Sequence, residues 1–189
     1  FIIQDFLACF TYATRWTELF YRAPKMIDLN PVFYLRGAQY LLEALFFIGD
    51  VSRFQSALDR FEQTIDRPSF PQRENVQSLA FLYRYGHKFN AHFMAGTFHE
   101  GLRLVDPVLA GIEHYREKID EHHVMIFYYK IACLYFGCGQ YKLCIEYLGL
   151  IIENKSLGMR EDLLCFSRIL NLVAHYEAGI DYQIERLIL

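Results

Sequence analysis

The residues best able to do chemistry in this chain are seven histidines and five cysteines. His87, His92 and His99 recur within one stretch, and His122 and His123 directly follow Asp120 and Glu121. A zinc-protease helix needs His-Glu-x-x-His, so that both rings project from one face. His99-Glu100 begins that pattern, but Arg103 stands where the second ligand is required. Asp120 reads most simply as a helix cap, which leaves the two adjacent histidines in the first turn. Cys133, Cys138 and Cys144 are five and six residues apart, whereas structural zinc sites pair thiolates two to four apart. They read as buried thiols.

Gly137-Cys138-Gly139 supplies a Gly-x-Gly without the third glycine, and a helical rather than a strand pattern precedes it. A hairpin turn is the better reading than a dinucleotide loop. No Gly-x-Ser-x-Gly elbow or phosphate-loop lysine occurs, and Glu161-Asp162 reads as a helix-start charge pair. Asn154-Lys155-Ser156 matches a glycosylation acceptor, which has meaning only in a secreted chain. These absences lead to the expectation of a non-catalytic protein that takes no cofactor and no metal.

The elements that position these residues follow from composition and periodicity. The chain has 189 residues, 53% of them hydrophobic and 22% charged, ample for a buried core. With 11 Gly and 5 Pro there are too few turn formers for a fold of many short strands. The net charge is −3, and the six basic residues Arg15, Arg22, Lys25, Arg36, Arg53 and Arg60 are matched by as many carboxylates in the same region. Nothing there resembles a nucleic-acid-binding arm. The longest apolar stretch, Val124 to Cys138, contains Lys130 and is shorter than the ~20 residues of a membrane span. An odd number of cysteines in apolar helical patterns favours free thiols and a cytoplasmic setting. The chain begins at Phe1 inside an amphipathic pattern, and is expected to be a fragment of a longer one.

A unit of apolar helix, turn, aromatic and second apolar helix recurs along the chain. It is clearest through Tyr128, Ile131, Ala132, Tyr135, Gly139, Tyr141, Cys144, Leu148 and Ile151, whose spacings of three and four place one stripe on each of two helices. Ala132 is small where two helices must approach, and Tyr135 and Tyr141 can fill the wedge between hairpins. Looser copies turn at Gly49 and Gly96, and a partial copy holds His175, Gly179 and Asp181 or Tyr182. The aromatic landmarks Trp16, Phe54, Phe98, Tyr141 and Tyr182 fall at nearly constant intervals. Ser52 with Gln55 and Thr97 with Glu100 read as capping pairs, and Asn30-Pro31 as a helix start. Pro107 is expected to kink or restart its helix, with Asp106 as the new cap.

The Tyr128 to Ile151 segment resembles a tetratricopeptide repeat, and the other copies match that family in outline. The resemblance implies an all-α superhelical solenoid of about four to five antiparallel hairpins forming a single domain over residues 1–189. It also implies a concave face that binds peptides or partner proteins. Carried over by register, that face comprises Arg36, Gln39, Glu43 and Phe46 in the second hairpin. The third hairpin gives Tyr83, Asn90 and Phe93, and the best repeat Ile126, Tyr129, Cys133 and Phe136. Asn90 or Gln39 is expected to fix a bound segment's backbone. The expected partner is a protein or peptide rather than a nucleic acid or membrane. Two rival readings stay open: a small-molecule or enzymatic domain with a pocket near His87, His92 and His99, and homo-oligomerisation through exposed apolar surface.

Overall fold

The computed structural model describes residues 5–154 and 161–180, and the described residues are helical with no strand among them. The chain divides at Gly96 and Thr97 into two compact units.

The first unit contains α1 (Phe6–Arg22), α2 (Lys25–Leu29), α3 (Pro31–Ile48), α4 (Val51–Ile65) and α5 (Glu74–Ala95). Helix α3 is its centre, packed by α1, α4 and α5. It begins as the sequence suggests, with Asn30 at the N-cap and Pro31 in the first turn, where a missing N–H needs no partner. It ends at Gly49, whose φ of +79° closes the turn into α4. Tyr34, Leu35, Leu42 and Leu45 of α3 meet Phe54, Leu58, Phe61 and Ile65 of α4 in the core, with Val76 and Ala80 of α5. Burying each large side chain contributes about 1.5–3 kcal/mol. Where α1 crosses α3, the indole of Trp16 lies on Gly37, so closely that a Cβ there would fall 3.0 Å from the ring.

The start of α4 differs from the Ser52–Gln55 expectation. Asp50 is the N-cap, accepting from the Arg53 N–H at 2.9 Å, while Gln55 donates to Asp59 at 2.8 Å. The capping oxygen must come from the residue just before the helix, and the helix opens one residue ahead of Ser52. Asp5 caps α1 and Asp120 caps the helix Glu121–Gly137 in the same way, through the N–H of Ala8 and of His123.

The second unit contains α6 (Phe98–Gly101), a 3-10 turn (Leu102–Leu104), α7 (Val105–His114), α8 (Glu121–Gly137), α9 (Tyr141–Ile152) and α10 (Glu161–Glu177). Pro107 does restart its helix, but Leu104 rather than Asp106 takes the N-cap position. The proline ring conflicts with the carbonyl four residues back, that of Arg103, so the break falls upstream in the 3-10 turn. Pro107 itself then sits in the first turn of α7. Helices α8 and α9 form the hairpin expected around Gly139, with Ala132, Cys144, Leu148 and Ile151 buried between them and Ala174 of α10 packed on the same core. Among the described residues the positive-φ glycines are Gly49, Gly96, Gly139 and Gly179, each a turn anticipated from the repeat. Asp181 and Tyr182 of the partial last copy, and Lys155 and Ser156 of the acceptor motif, lie outside the described residues.

Candidate functional site

In the first unit the residues expected on the binding face lie on α3 and α5, which pack side by side. Arg36, Gln39 and Glu43 share one side of α3 by their spacing of three and four. Arg36 is exposed, and Gln39 and Glu43 are half-buried. Gln39 donates its amide to Glu43 Oε1 at 2.8 Å, which leaves its carbonyl oxygen to accept from His87 Nε2 of α5 at 2.7 Å. His87 is buried, with its ring edge-on to Phe54. This chain of hydrogen bonds ties α3 to α5 and fixes the pose of Glu43. Tyr83 of α5 joins the same face: burial pushes its hydroxyl above the usual tyrosine range, Arg36 draws it down, and Tyr40 and Glu43 push it further up. Arg36, Tyr40, Glu43 and Tyr83 therefore lie within each other's electrostatic reach.

The remaining expected positions sit differently. Phe46 is half-buried at the edge of the core, Asn90 is buried, and Phe93 is stacked on Phe89. On α8, Ile126, Tyr129, Cys133 and Phe136 are all half-buried. Phe136 meets Tyr141 edge-on. The Tyr129 hydroxyl lies near the Cys133 sulfur; burial first, then Cys133, pushes that hydroxyl up to about 12. Burial likewise pushes the Cys133 thiol up to about 11 and Cys144 up to about 12. In the absence of a bound partner such thiols stay protonated at neutral pH.

The histidines singled out by the sequence are placed separately. His87 is part of the α3–α5 tie, His92 is half-buried on α5, and His99 is exposed in α6. His123 Nδ1 lies 2.8 Å from the Asp120 carboxylate that caps α8. Burial alone would raise Asp120, but the backbone N–H and ring of His123 outweigh it and hold the carboxyl below its usual range. Among the described residues no group of three His, Cys, Asp or Glu can hold a metal.

The residue pattern did not reveal an apolar pocket of about 410 Å³ between α1, α2 and the start of α3. It is lined by Trp16, Leu19, Phe20, Met26, Asn30 and Phe33. Its signal is an apolar stripe on each helix: Tyr12, Trp16 and Leu19 on α1, and Phe33, Gly37 and Tyr40 on α3. These make α3 apolar nearly all round, more than one buried face needs. Asn30 holds the N-cap position of α3 without bonding a helix N–H through its side chain, so its amide borders the pocket as a polar handle. Set against known proteins, the chain matches no family model, no curated protein and no solved structure.

Proposed function

We propose that this chain is a non-catalytic scaffold that binds segments of partner proteins on the surface of packed helical hairpins. The observation that carries this reading is the face formed by Arg36, Tyr40, Glu43 and Tyr83. There, Arg36 and Tyr40 are exposed and Glu43 and Tyr83 half-buried on two adjacent helices, while Gln39 and His87 hold the helices together. Such a surface suits an extended or helical segment: aromatic rings supply contact area with few torsions to freeze, and the charges fix register. The resemblance of residues 128–151 to a tetratricopeptide repeat supports the same reading.

A cytoplasmic setting accords with five free cysteines. No helix among the described residues is long and apolar enough to cross a membrane.

The test is affinity capture with the parent chain and with an Arg36→Ala, Tyr83→Ala variant, after circular dichroism has shown equal helicity. A partner held by the parent and lost by the variant supports the scaffold. Partners held equally by both overturn this face as the binding surface.

A further inference from the structure

The pocket beside Trp16 differs from the α3–α5 face in chemistry as well as place. Its walls are three aromatic rings, a leucine and a methionine, with Asn30 as the polar group. Leu19, Met26 and Phe33 are 66%, 43% and 57% exposed, so the pocket is open enough to take a side chain from outside. Methionine lets such a wall adapt to different apolar shapes.

The charges around it argue for what covers it. Arg15 and Arg22 stand four residues before and three after Leu19, on the same flank of α1. Lys25 directly precedes Met26. All three are exposed. Of these, Arg22 is paired with Glu18 at 3.7 Å, and Asp28 is half-buried on α2, so Arg15 and Lys25 are the exposed cations that make no ion pair among the described residues. A chain with a net charge of −3 thus sets a locally basic edge beside its apolar pocket.

We infer that the pocket receives a bulky apolar side chain from a partner segment whose flanking residues are acidic. The anchor fills the space between Trp16, Met26 and Phe33, the Asn30 amide meets a backbone group of the segment, and Arg15 and Lys25 meet its carboxylates. This rests on the scaffold reading and adds a second contact with its own selectivity.

Trp16 is the sole tryptophan, so its emission reports this pocket directly. The experiment is selection of short random peptides displayed on phage against the intact 189-residue chain, followed by titration of a recovered peptide with Trp16 emission as readout. The expected consensus is one large apolar residue flanked by Asp or Glu. Its binding shifts Trp16 emission saturably and weakens steeply with salt. Phe33→Ala and Met26→Ala, at exposed positions that leave the fold intact, each weaken it about tenfold or more. Arg15→Glu with Lys25→Glu reverses the charge preference.

A basic or uncharged consensus overturns the proposal. So does a peptide lost with Tyr83→Ala but indifferent to Phe33→Ala, a result that leaves the scaffold reading standing. Recovery of no peptide overturns both. A shift produced by naphthalene but by no peptide overturns the peptide anchor in favour of a small apolar ligand.

Discussion

The two units use one packing device and fill the space around it differently. In each, an aromatic ring lies on a helical glycine: Trp16 on Gly37 in the first unit and Phe98 on Gly137 in the second. Around that device the first unit runs polar groups between its helices. Gln39, Glu43 and His87 link α3 to α5, and Arg84 and Lys88 of α5 pair with Glu62 of α4 at 3.3 and 3.1 Å, Arg84 also reaching Asp66. The second unit seals α8 against α9 with thiols and tyrosines, Tyr147 meeting both Tyr128 and Tyr135. Polar ties fix a pose and leave charge near the surface. An apolar seam holds the helices together without presenting charge. The difference makes the first unit the better candidate for recognition and the second a support.

The largest effect that probes this contrast is on the polar side. Phe54 is buried on α4 and also carries the edge of the His87 ring. Phe54→Ala should cost about 3–5 kcal/mol by opening a cavity, read as a lowered urea midpoint. It should also loosen the Gln39–His87 bond, seen in a changed His87 ring signal by NMR. A loss of stability with an unchanged His87 signal would separate the core from the tie and break the link proposed between them.

Next in size is a comparison of the two ring-on-glycine contacts. A Cβ at Gly137 would lie 2.5 Å from carbons of the Phe98 ring, closer than real atoms approach, whereas at Gly37 the nearest Trp16 atom is 3.0 Å away. Gly137→Ala should cost about 1–3 kcal/mol through overpacking, with partial rescue by Phe98→Leu. At Gly37, in the middle of α3, alanine gains up to about 1 kcal/mol of helix propensity, and the half-buried indole can shift. Gly37→Ala should therefore change stability by less than about 1 kcal/mol while moving the Trp16 emission. Equal costs at the two sites would show that the contacts are equally rigid.

Much of this architecture is legible in the residues, and what is not has a physical cause. Turn glycines and Asn30-Pro31 announce themselves because their signals are local, a backbone conformation or a missing donor. The Asp50 cap was legible in kind but not in place: Ser52 is as good a capping residue, and only the first helical N–H decides between them. The Gln39–His87 bond spans 48 positions, and no periodicity within a helix links residues so far apart. Gly137 reads as part of a Gly-x-Gly turn, but its role as the seat of Phe98 depends on how α6 meets α8. The pocket was hidden for a related reason. Apolar residues at helical spacing look alike whether a neighbouring helix covers them, as with Leu42, or leaves them open, as with Phe33.

The tie itself gives the third contrast. Gln39→Leu removes one acceptor and one donor, leaving His87 Nε2 and Glu43 without these partners. Losing hydrogen bonds around buried groups costs about 1–3 kcal/mol. Tyr129→Phe in the second unit removes a half-buried hydroxyl whose neighbour is a sulfur, a weak acceptor, and should cost less than about 1 kcal/mol. If the two substitutions cost the same by urea denaturation, the polar seam would hold the first unit no more firmly than the thiol seam holds the second.

The smallest effect is the most selective, since it acts on the second unit through pH alone. The Cys133 and Cys144 thiols rise from about 9 to about 11 and about 12, burial being the first cause in both. A raised folded value means that ionisation favours the unfolded chain. The contribution of these thiols is complete below pH about 9 and is lost as pH climbs through 11 and 12. Stability of the α8–α9 hairpin should therefore decline over that alkaline window, and Cys133→Ala, Cys144→Ala should flatten the decline while lowering stability at neutral pH by leaving small cavities. At pH 8, a disulfide-exchange reagent should label the exposed Cys165 well before either buried thiol. Rapid labelling of Cys133 or Cys144 in the folded chain would mean that the seam opens readily. The apolar unit would then be the looser of the two, and the assignment of support to one unit and recognition to the other would have to be reversed.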